Sequence, residues 1–356
     1  MPPRRAVAFA LAAAVLFGAS TPAAKILAGD IPAFLLAGLL YAGSGIGLSL
    51  WIALRAAMAA DAPTRPAPLG RGDLPWLAGS VLSGGVAGPV LLMQGLGVVP
   101  GAASAATASL LLNLEGAFTA LIAWFVFREN FDRRIALGML LIVAAGALVS
   151  LEPGALGGVS TGALFVAAAC LAWAIDNNLT RRISAGDPVT IAAIKGIAAG
   201  AVNVSIALSM GVAWPSAFEV AAAGLVGLFG YGVSLALFVV ALRELGTART
   251  GAYFSVAPFA GIALALAALG EDPGPLFWLA LPLAAAGVWL HVSERHAHEH
   301  LHEPLEHTHS HVHDEHHHHA HDFDWDGTEP HTHAHRHPRM LHSHPHYPDI
   351  HHRHSH

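Results

Sequence analysis

The chain has 356 residues, of which 54% are hydrophobic and 12% are charged. Its mean hydropathy of +0.53 lies outside the range of ordinary soluble domains and indicates a protein that crosses a membrane several times. The formal net charge of −6, with no basic patch between aromatic residues, gives no indication of nucleic-acid binding. The single cysteine, Cys170, excludes an intramolecular disulfide and a thiolate-rich metal site, and we interpret it as a small buried hydrophobe.

Ten apolar segments, each near the length that spans a bilayer, follow one another along the chain. They cover about residues 6–27, 32–54, 74–98, 101–127, 135–151, 161–179, 188–210, 220–242, 246–272 and 275–291. The first resembles a signal peptide, but the nine spans after it favour an uncleaved helix. Glycines in the second span predict close helix packing, and the sequence from Gly84 to Pro89 predicts a bend in the third.

The fourth span carries one carboxylate, Glu115, near the middle of the membrane, where a charge is most costly. On a continuous helix Ser104, Thr107 and Thr119 share its face, and Asn113 lies on the opposite face. This pattern predicts a polar seam that lines a cavity. Glu115 is then either a coupling or substrate-binding carboxylate or a structural carboxyl bonded between helices.

Other polar residues lie near the ends of the predicted spans. Asp176 and Lys195 belong to consecutive spans, at the same membrane surface, and are predicted to form an ion pair with a structural or gating role. Asn177 either lines the inner mouth or, as we favour, caps its helix. Lys25 either attracts an anion or, by default, extends to the outer interface. The candidate substrate or coupling residues are Glu115, Asn113, Asp176, Asn177, Lys195 and Lys25.

Residues 246–272 repeat the plan of residues 101–130, with a small-residue entry, an apolar middle and an acidic end. Aligning Glu129 with Glu271 places Gly116 on Pro258. The loops on the N-terminal side hold the lysines and arginines, which predicts that both termini lie in the cytoplasm. Ten helices in two sets of five then form an inverted-topology repeat, an architecture of secondary transporters.

Four segments together resemble a known family, and the resemblance covers roughly residues 5–292. They are GASTPAAKIL, LEGAF…REN, CLAWAIDNNLTRRIS and YFSVAPF…GED. The chain looks like an EamA-type member of the drug/metabolite transporter superfamily. The resemblance implies a substrate path between the two repeats, lined by spans three, four, eight and nine. Gly116 departs from the pattern that Pro258 keeps, so a kink is expected in the second repeat only.

The sequence gives no indication of an enzyme. The G-x-S-x-G match at 158–162 lies at the start of a membrane span rather than between a strand and a helix, and the apolar part of the chain has no histidine to act as its base. No phosphate-binding loop of the G-x-x-x-x-G-K-[ST] type is present, so pumping is expected to use an ion gradient.

All 25 histidines lie at or after position 291. Repeated His-x-His steps among carboxylates, with few apolar residues, predict a disordered cytoplasmic tail. Imidazole together with carboxylate suits nickel, cobalt, zinc or copper(II), so we interpret the tail as metal-binding. The alternative interpretations are a purification tag and a solubilising tail. The predicted metal ligands are His296, His298, His300, His302, His307, His309, His311, His313, His316, His317, His318 and His319.

The predicted domains are residues 1–152 and 153–292, each a five-helix repeat, and the tail, residues 293–356. The predicted function is secondary active transport, as an exporter, of a small solute across the cytoplasmic membrane. The cargo is a divalent transition metal, or metal regulates transport. The alternatives are export of an organic metabolite with an incidental tail and a membrane-anchored metal buffer or sensor. The expected partners are the lipid bilayer and the solute; no cofactor is required, and the oligomeric state, a homodimer included, stays open.

Overall fold

The computed structural model describes residues 4–58, 70–97, 103–127, 133–151, 159–180, 183, 187–245, 250, 253–292, 297–302, 305–311, 331–337 and 340–345. The chain divides into two compact units, Met1–Ser293 and Glu294–His356. We call the first unit the membrane body and the second the tail.

The described part of the membrane body is helical. Its helices are α1 (Arg4–Leu27), α2 (Ala33–Met58), α3 (Leu74–Ser80), α4 (Gly88–Leu96), α5 (Ala105–Leu111), α6 (Leu114–Phe127), α7 (Arg133–Ser150), α8 (Thr161–Thr180), α9 (Pro188–Ser209), α10 (Ala217–Gly227), α11 (Ser234–Leu245), α12 (Ala257–Leu269) and α13 (Gly274–Val292). Segments of π-helix, Val81–Ala87 and Leu228–Val233, join α3 to α4 and α10 to α11.

Within the described ranges, eight helical segments are long and apolar enough to cross a membrane. Two shorter apolar helices, Ala257–Leu269 and Gly274–Leu290, follow them. The protein is therefore a multi-pass membrane protein, as the composition predicted. We call the side on which α1 begins the N side, and the side on which it ends the far side.

Helix α2 packs closely against α9, as its glycines predicted. A Cβ atom on Gly45 would lie 2.4 Å from the backbone nitrogen of Ile197, so no other residue fits there without a shift of the backbone. Close approach of helix backbones through small residues is a common basis of helix association in membranes. This contact fixes one wall of the cavity described below.

The bend predicted for the third span takes the form of the first π-helical segment. A π-helix frees carbonyl oxygens from the regular i to i−4 pattern, and here side chains from other helices bond to them. The Gly84 oxygen accepts hydrogen bonds from the Tyr41 hydroxyl at 2.8 Å and the Trp173 indole at 2.9 Å. The Gly85 oxygen accepts one from the Asn203 amide at 2.9 Å. The second π-helical segment was not predicted.

The fourth span is not one continuous helix, so that prediction was wrong. It breaks at Leu112 and Asn113, between α5 and α6. The Asn113 side chain donates to the Leu110 oxygen at 2.8 Å, and the Glu115 N–H reaches only back to the Leu112 oxygen, at 3.1 Å. An Asn side chain that bonds its own backbone competes with the helical pattern, which explains a break without proline.

A second break precedes α12, where the chain turns at Ser255 and Val256 and Pro258 lies in the first helical turn. The expectation of a kink in the second repeat only was therefore wrong. The alignment of Glu129 with Glu271 places Asn113 on Ser255, so the two breaks coincide to within one residue.

The tail was predicted to be disordered, but it contains four described strands: β1 (Ala297–His302), β2 (Leu305–His311), β3 (His331–His337) and β4 (Met340–Pro345). Strand β1 pairs antiparallel with β4, and β2 with β3. Alternating histidines on each strand fall opposite histidines on the other, which gives this segment a regular pairing pattern despite its low apolar content. The pairs are His298 with His344, His300 with His342, His307 with His335, His309 with His333, and His311 with His331.

Candidate substrate site

A cavity of about 310 Å³ lies between α2, α8, α9 and the segment that joins α10 to α11. It is toward the N side, because Thr180 ends α8 there and Lys195 follows the start of α9 by only two turns. Its lining combines polar and apolar side chains: Tyr41, Ser44, Asp176, Thr180, Ile191, Ala192, Lys195, Gly196, Tyr231 and Leu235.

The charged groups in this cavity are the two that the sequence predicted to pair. The Lys195 ammonium donates to both carboxylate oxygens of Asp176, at 2.5 and 2.7 Å, and to the Thr180 hydroxyl at 3.2 Å. Thr180 in turn donates to Asp176 Oδ1 at 2.8 Å. The predicted ion pair is confirmed, and Thr180 joins it as a third member because it lies one helical turn after Asp176.

The first π-helical segment brings backbone directly against this ion pair. A Cβ atom on Gly84 would lie 1.9 Å from the Asp176 carboxylate, so only glycine fits beside it. The Trp173 indole bonds the Gly84 oxygen from the same face of α8, one turn before Asp176. The carboxylate is thus held between its own helix and the distorted span.

Glu115 lies at the start of α6 and bonds across to α8. The Asn177 amide donates to the Glu115 carboxylate at 2.8 Å and to the Thr119 hydroxyl at 3.3 Å. The prediction that Asn177 caps its helix was therefore wrong. Asn178 donates to the Ala174 oxygen of its own helix at 2.8 Å and to the Thr119 oxygen at 3.4 Å. Glu115 and Thr119 share a face, as predicted, and their partner on α8 was missed.

The other two members of the predicted seam, Ser104 and Thr107, lie elsewhere, as does Asn113, which was predicted on the opposite face. The Ser104 hydroxyl accepts a hydrogen bond from the Thr107 N–H at 3.0 Å, which makes Ser104 the N-cap of α5 on the far side. Asn113 is buried and bonds within its own span. Ser104 and Thr107 lie before the break between α5 and α6, and Asn113 lies in it with its amide bonded to Leu110, so none of them bonds to Glu115.

Lys25 and Glu271 meet helix ends on the far side. The Lys25 ammonium donates to the backbone oxygens of Leu96 at 2.6 Å and Ala103 at 3.1 Å, so the prediction that it extends to the interface was wrong. The Glu271 carboxylate accepts the N–H groups of Ala105 at 2.7 Å and Ala106 at 2.8 Å. Both side chains neutralise unpaired backbone groups where helices end. One sequence signal indicates the Glu271 contact. Helix α5 begins with alanines, whose side chains cannot accept hydrogen bonds from its first N–H groups.

The predicted metal ligands cannot be placed in a site. Across the described residues, no three His, Cys, Asp or Glu side chains converge as ligands. His296, His313 and residues 316–319 lie outside the described residues. The remaining six have described backbone only, so the metal site stays a prediction. Cys170 is fully buried and free, as predicted.

Apolar helices of membrane-spanning length around a cavity with paired charges define a multi-pass membrane protein with a candidate site for a small solute. The family follows from the sequence profile of the EamA-like transporter family, which matches residues 4–151 and 160–293. The chain therefore belongs to the EamA-like transporter family, which confirms the resemblance.

Two further comparisons agree with this assignment. The chain is 32% identical over 193 residues to an uncharacterized transporter of Methanothermobacter thermautotrophicus (strain Delta H), a match that covers 52% of this chain. It spans about half, 55%, of the length of that relative. A crystal structure of a protein superposes with a TM-score of 0.57 at 19% identity, covering 80% of this chain and 96% of the other, and shares the fold.

Proposed function

We propose that the protein is a secondary active transporter that exports a small polar organic solute across the cytoplasmic membrane. The observation that carries the proposal is the Asp176–Lys195 pair, which lines a cavity among membrane-spanning helices. Burying two charges costs several kcal/mol per ion, and a protein that only anchors a tail gains nothing from doing so. In a transporter, by contrast, both charges can bind a solute that enters the cavity.

The same pair favours an organic solute over the metal cargo that the sequence analysis put first. The Lys195 ammonium lies in the cavity itself and already occupies both oxygens of the Asp176 carboxylate, so the described lining offers a divalent cation no free carboxylate. Hydroxyl groups of Tyr41, Ser44 and Thr180 line the same space beside apolar side chains. Small-molecule sites commonly combine a mostly apolar wall with a few placed polar groups.

The proposed transport cycle is alternating access between two inverted five-helix repeats, with both termini in the cytoplasm. Its support is the duplication of unusual features: one π-helical segment in the third span and another between α10 and α11, and one helix break before α6 and another before α12. The family profile also matches the chain twice. The N side would face the cytoplasm, because the arginines flank the spans there.

Glu115 is the proposed coupling group. Its carboxylate is bonded to Asn177, and Asn177 directly follows Asp176 on α8, so a change of protonation at Glu115 alters a contact next to the cavity. The carboxylate in the described lining of the cavity, Asp176, does not offer this, since it is already paired with Lys195. A proton gradient is then the energy source.

The tail is proposed to bind a divalent transition metal and so to regulate transport. The support is its strand register, which sets histidines opposite histidines on β1 and β4 and on β2 and β3. Residues directly opposite in an antiparallel pair have Cβ atoms about 4.5–5.5 Å apart, a separation that one metal ion can bridge with two imidazoles.

The test compares cells that express the full chain, Glu115→Gln or Lys195→Met, with Glu219→Gln as the matched control. Glu219 belongs to an exposed capping box at the start of α10, away from the cavity. Organic solutes in the medium are measured by mass spectrometry, and cellular nickel, cobalt, zinc and copper by elemental analysis. We expect the full chain and the control to release an organic solute that neither of the other two variants releases. A fall in one cellular metal that Glu115→Gln abolishes would instead show metal export and overturn the proposal.

A further inference from the structure

The four strands of the tail follow one register. Two residues separate β1 from β2 along the chain, and two separate β3 from β4. The pairing of β2 with β3 therefore continues the register in which β1 pairs with β4, and it matches the described residues of 297–311 with those of 331–345. Histidines that are far apart in sequence thus lie opposite one another.

Histidine occupies every second position along much of these strands. Alternate residues of a strand lie on the same face of a sheet, and directly opposite residues share that face. His298 lies opposite His344, and His300 lies opposite His342. These four positions therefore form two neighbouring rows on one face of the sheet of β1 and β4, and we call these four residues the first patch.

The sheet of β2 and β3 has three such rows, and we call their histidines the second patch. They are His307 opposite His335, His309 opposite His333, and His311 opposite His331. The carboxylates of the described strands, Glu299 and Glu306, occupy intervening positions and therefore fall on the face away from each patch. Each patch thus consists of imidazole positions without a carboxylate.

One strand alone does not supply four ligands to one ion. Residues two apart in a strand are separated by about 7 Å, so the first and third histidines of a His-x-His-x-His run are about 13 Å apart, whereas zinc bonds an imidazole nitrogen at about 2.0–2.1 Å. Directly opposite residues have Cβ atoms about 4.5–5.5 Å apart. A four-imidazole site therefore takes two rows, with two histidines from each strand. Imidazole suits zinc, copper and nickel, whereas magnesium and calcium take oxygen ligands.

We infer that each patch is a metal site in which imidazoles from both strands hold a divalent transition-metal ion, so that the ion joins β1 to β4 or β2 to β3. The inference rests on the proposed metal binding by the tail and names its ligands. The metal ligands predicted from the sequence include none of the histidines of β3 and β4, since only the register brings these opposite β1 and β2.

The experiment counts the zinc ions that the purified full chain retains against a competing chelator at neutral pH. One variant changes the β1 histidines of the first patch, His298→Asn/His300→Asn, and another changes its β4 histidines, His342→Asn/His344→Asn. Since either change removes half of the same site, each variant is expected to lose the same ion. The variant with all four changes is expected to lose no more than either double variant. Independent sites on the two strands would give losses that add, and this result would overturn the inference.

The matched control is His351→Asn/His352→Asn, which removes two histidines outside the described strands and should keep the zinc content. An equal loss in the control would show that the number of histidines, rather than the strand register, determines binding, and it would overturn the inference. The second patch is tested in the same way, with either its three β2 histidines or its three β3 histidines changed to Asn.

A second measurement follows the pairing of the strands themselves. Spin labels are attached through Glu299→Cys and Ser343→Cys, at directly opposite positions on the face away from the first patch, with Cys170→Ala to remove the native thiol. Their dipolar coupling is followed as urea is added. A ligand that binds the paired state stabilises it, so zinc is expected to shift the loss of coupling to higher urea, and magnesium is not. An unchanged midpoint with zinc would contradict a metal ion that joins the strands.

These outcomes are distinct from failure of the proposed function. If the full chain retains no more zinc than a chain truncated after Arg295, the tail binds no zinc and both the proposed metal binding and the inference fail. If zinc is retained but the losses add, the tail binds metal and only the sites that join two strands are wrong. Transport is judged separately, by solute release from cells.

Discussion

Gly84 packs directly on the carboxylate of Asp176: a Cβ atom at position 84 would lie 1.9 Å from Oδ2. The backbone oxygen of the same glycine accepts hydrogen bonds from Tyr41 and Trp173. The residue therefore cannot move away from α8 without breaking the bond from Trp173. This contact places the distorted third span against the charged wall of the cavity and makes position 84 sensitive to any added atom.

Gly84→Ala is expected to destabilise the membrane body. Overpacking a well-packed interior costs about 1–3 kcal/mol, and here the atom that is crowded carries charge. Thermal unfolding in detergent checks this. The matched control is Gly116→Ala in α6, where a Cβ atom would meet nothing within 4 Å. Alanine favours a helix over glycine, so the control should keep or raise the melting temperature. Equal effects of the two variants would contradict the packing argument.

Removing one member of the ion pair should cost more stability than removing both. The Asp176 and Lys195 side chains are only 11% and 15% exposed, so Asp176→Asn or Lys195→Met leaves a buried charge without its partner. Losses of about 3–5 kcal/mol are typical of such single changes. The double variant Asp176→Leu/Lys195→Met should recover most of that loss. A double-mutant cycle from denaturant unfolding measures the coupling, and additive losses would show that the two charges do not interact.

Glu271→Ala should loosen the start of α5. The variant leaves the N–H groups of Ala105 and Ala106 without their acceptor, and loss of a helix cap typically costs about 0.5–2 kcal/mol. Faster hydrogen exchange at those two amides, with a lower melting temperature, is the expected observation. Glu271→Gln keeps one acceptor oxygen and should lose less, while Asp272→Asn at the exposed neighbouring residue should change neither quantity.

Metal binding by the tail should fall on acidification. Only neutral imidazole binds a metal, and imidazole ordinarily titrates at about pH 6.5, so affinity is retained at pH 7.5 and lost toward pH 5.5. Titration calorimetry with zinc and nickel on the full chain checks this. A chain truncated after Arg295 is the control and should bind neither metal at either pH. Unchanged binding at pH 5.5 would point to carboxylates as the ligands, and retained binding after truncation to a site in the membrane body.

The sequence was sufficient where the determining signal is local. Apolar length identified the eight spans that the described ranges contain, and the positions of Asp176 and Lys195 at the same ends of consecutive helices predicted their pairing. The bend in the third span followed from its glycines and proline. Each of these inferences needs only the spacing of residues along the chain and the thickness of a bilayer.

It was insufficient where partners come from distant helices. The Asn177 side chain looks like a helix cap until α8 is packed against α6, which brings it to Glu115. Lys25 resembles an interfacial lysine until the ends of α4 and α5 surround it with backbone oxygens. The break at Asn113 was missed for another reason. A single side chain bonds the backbone there and interrupts the helix, and hydropathy does not distinguish an interrupted apolar helix from a continuous one.

The hydrogen bonds onto the first π-helical segment also limit which parts of the body can move. Donors on α2, α8 and α9 hold two adjacent backbone oxygens, at Gly84 and Gly85, so these four spans are cross-linked into one rigid block. Helix α6 is tied to the same block, because Asn177 and Asn178 of α8 donate hydrogen bonds to Glu115 and Thr119. A movement that opens the cavity on this side therefore carries the third span together with α2, α8 and α9, as a single piece of wall.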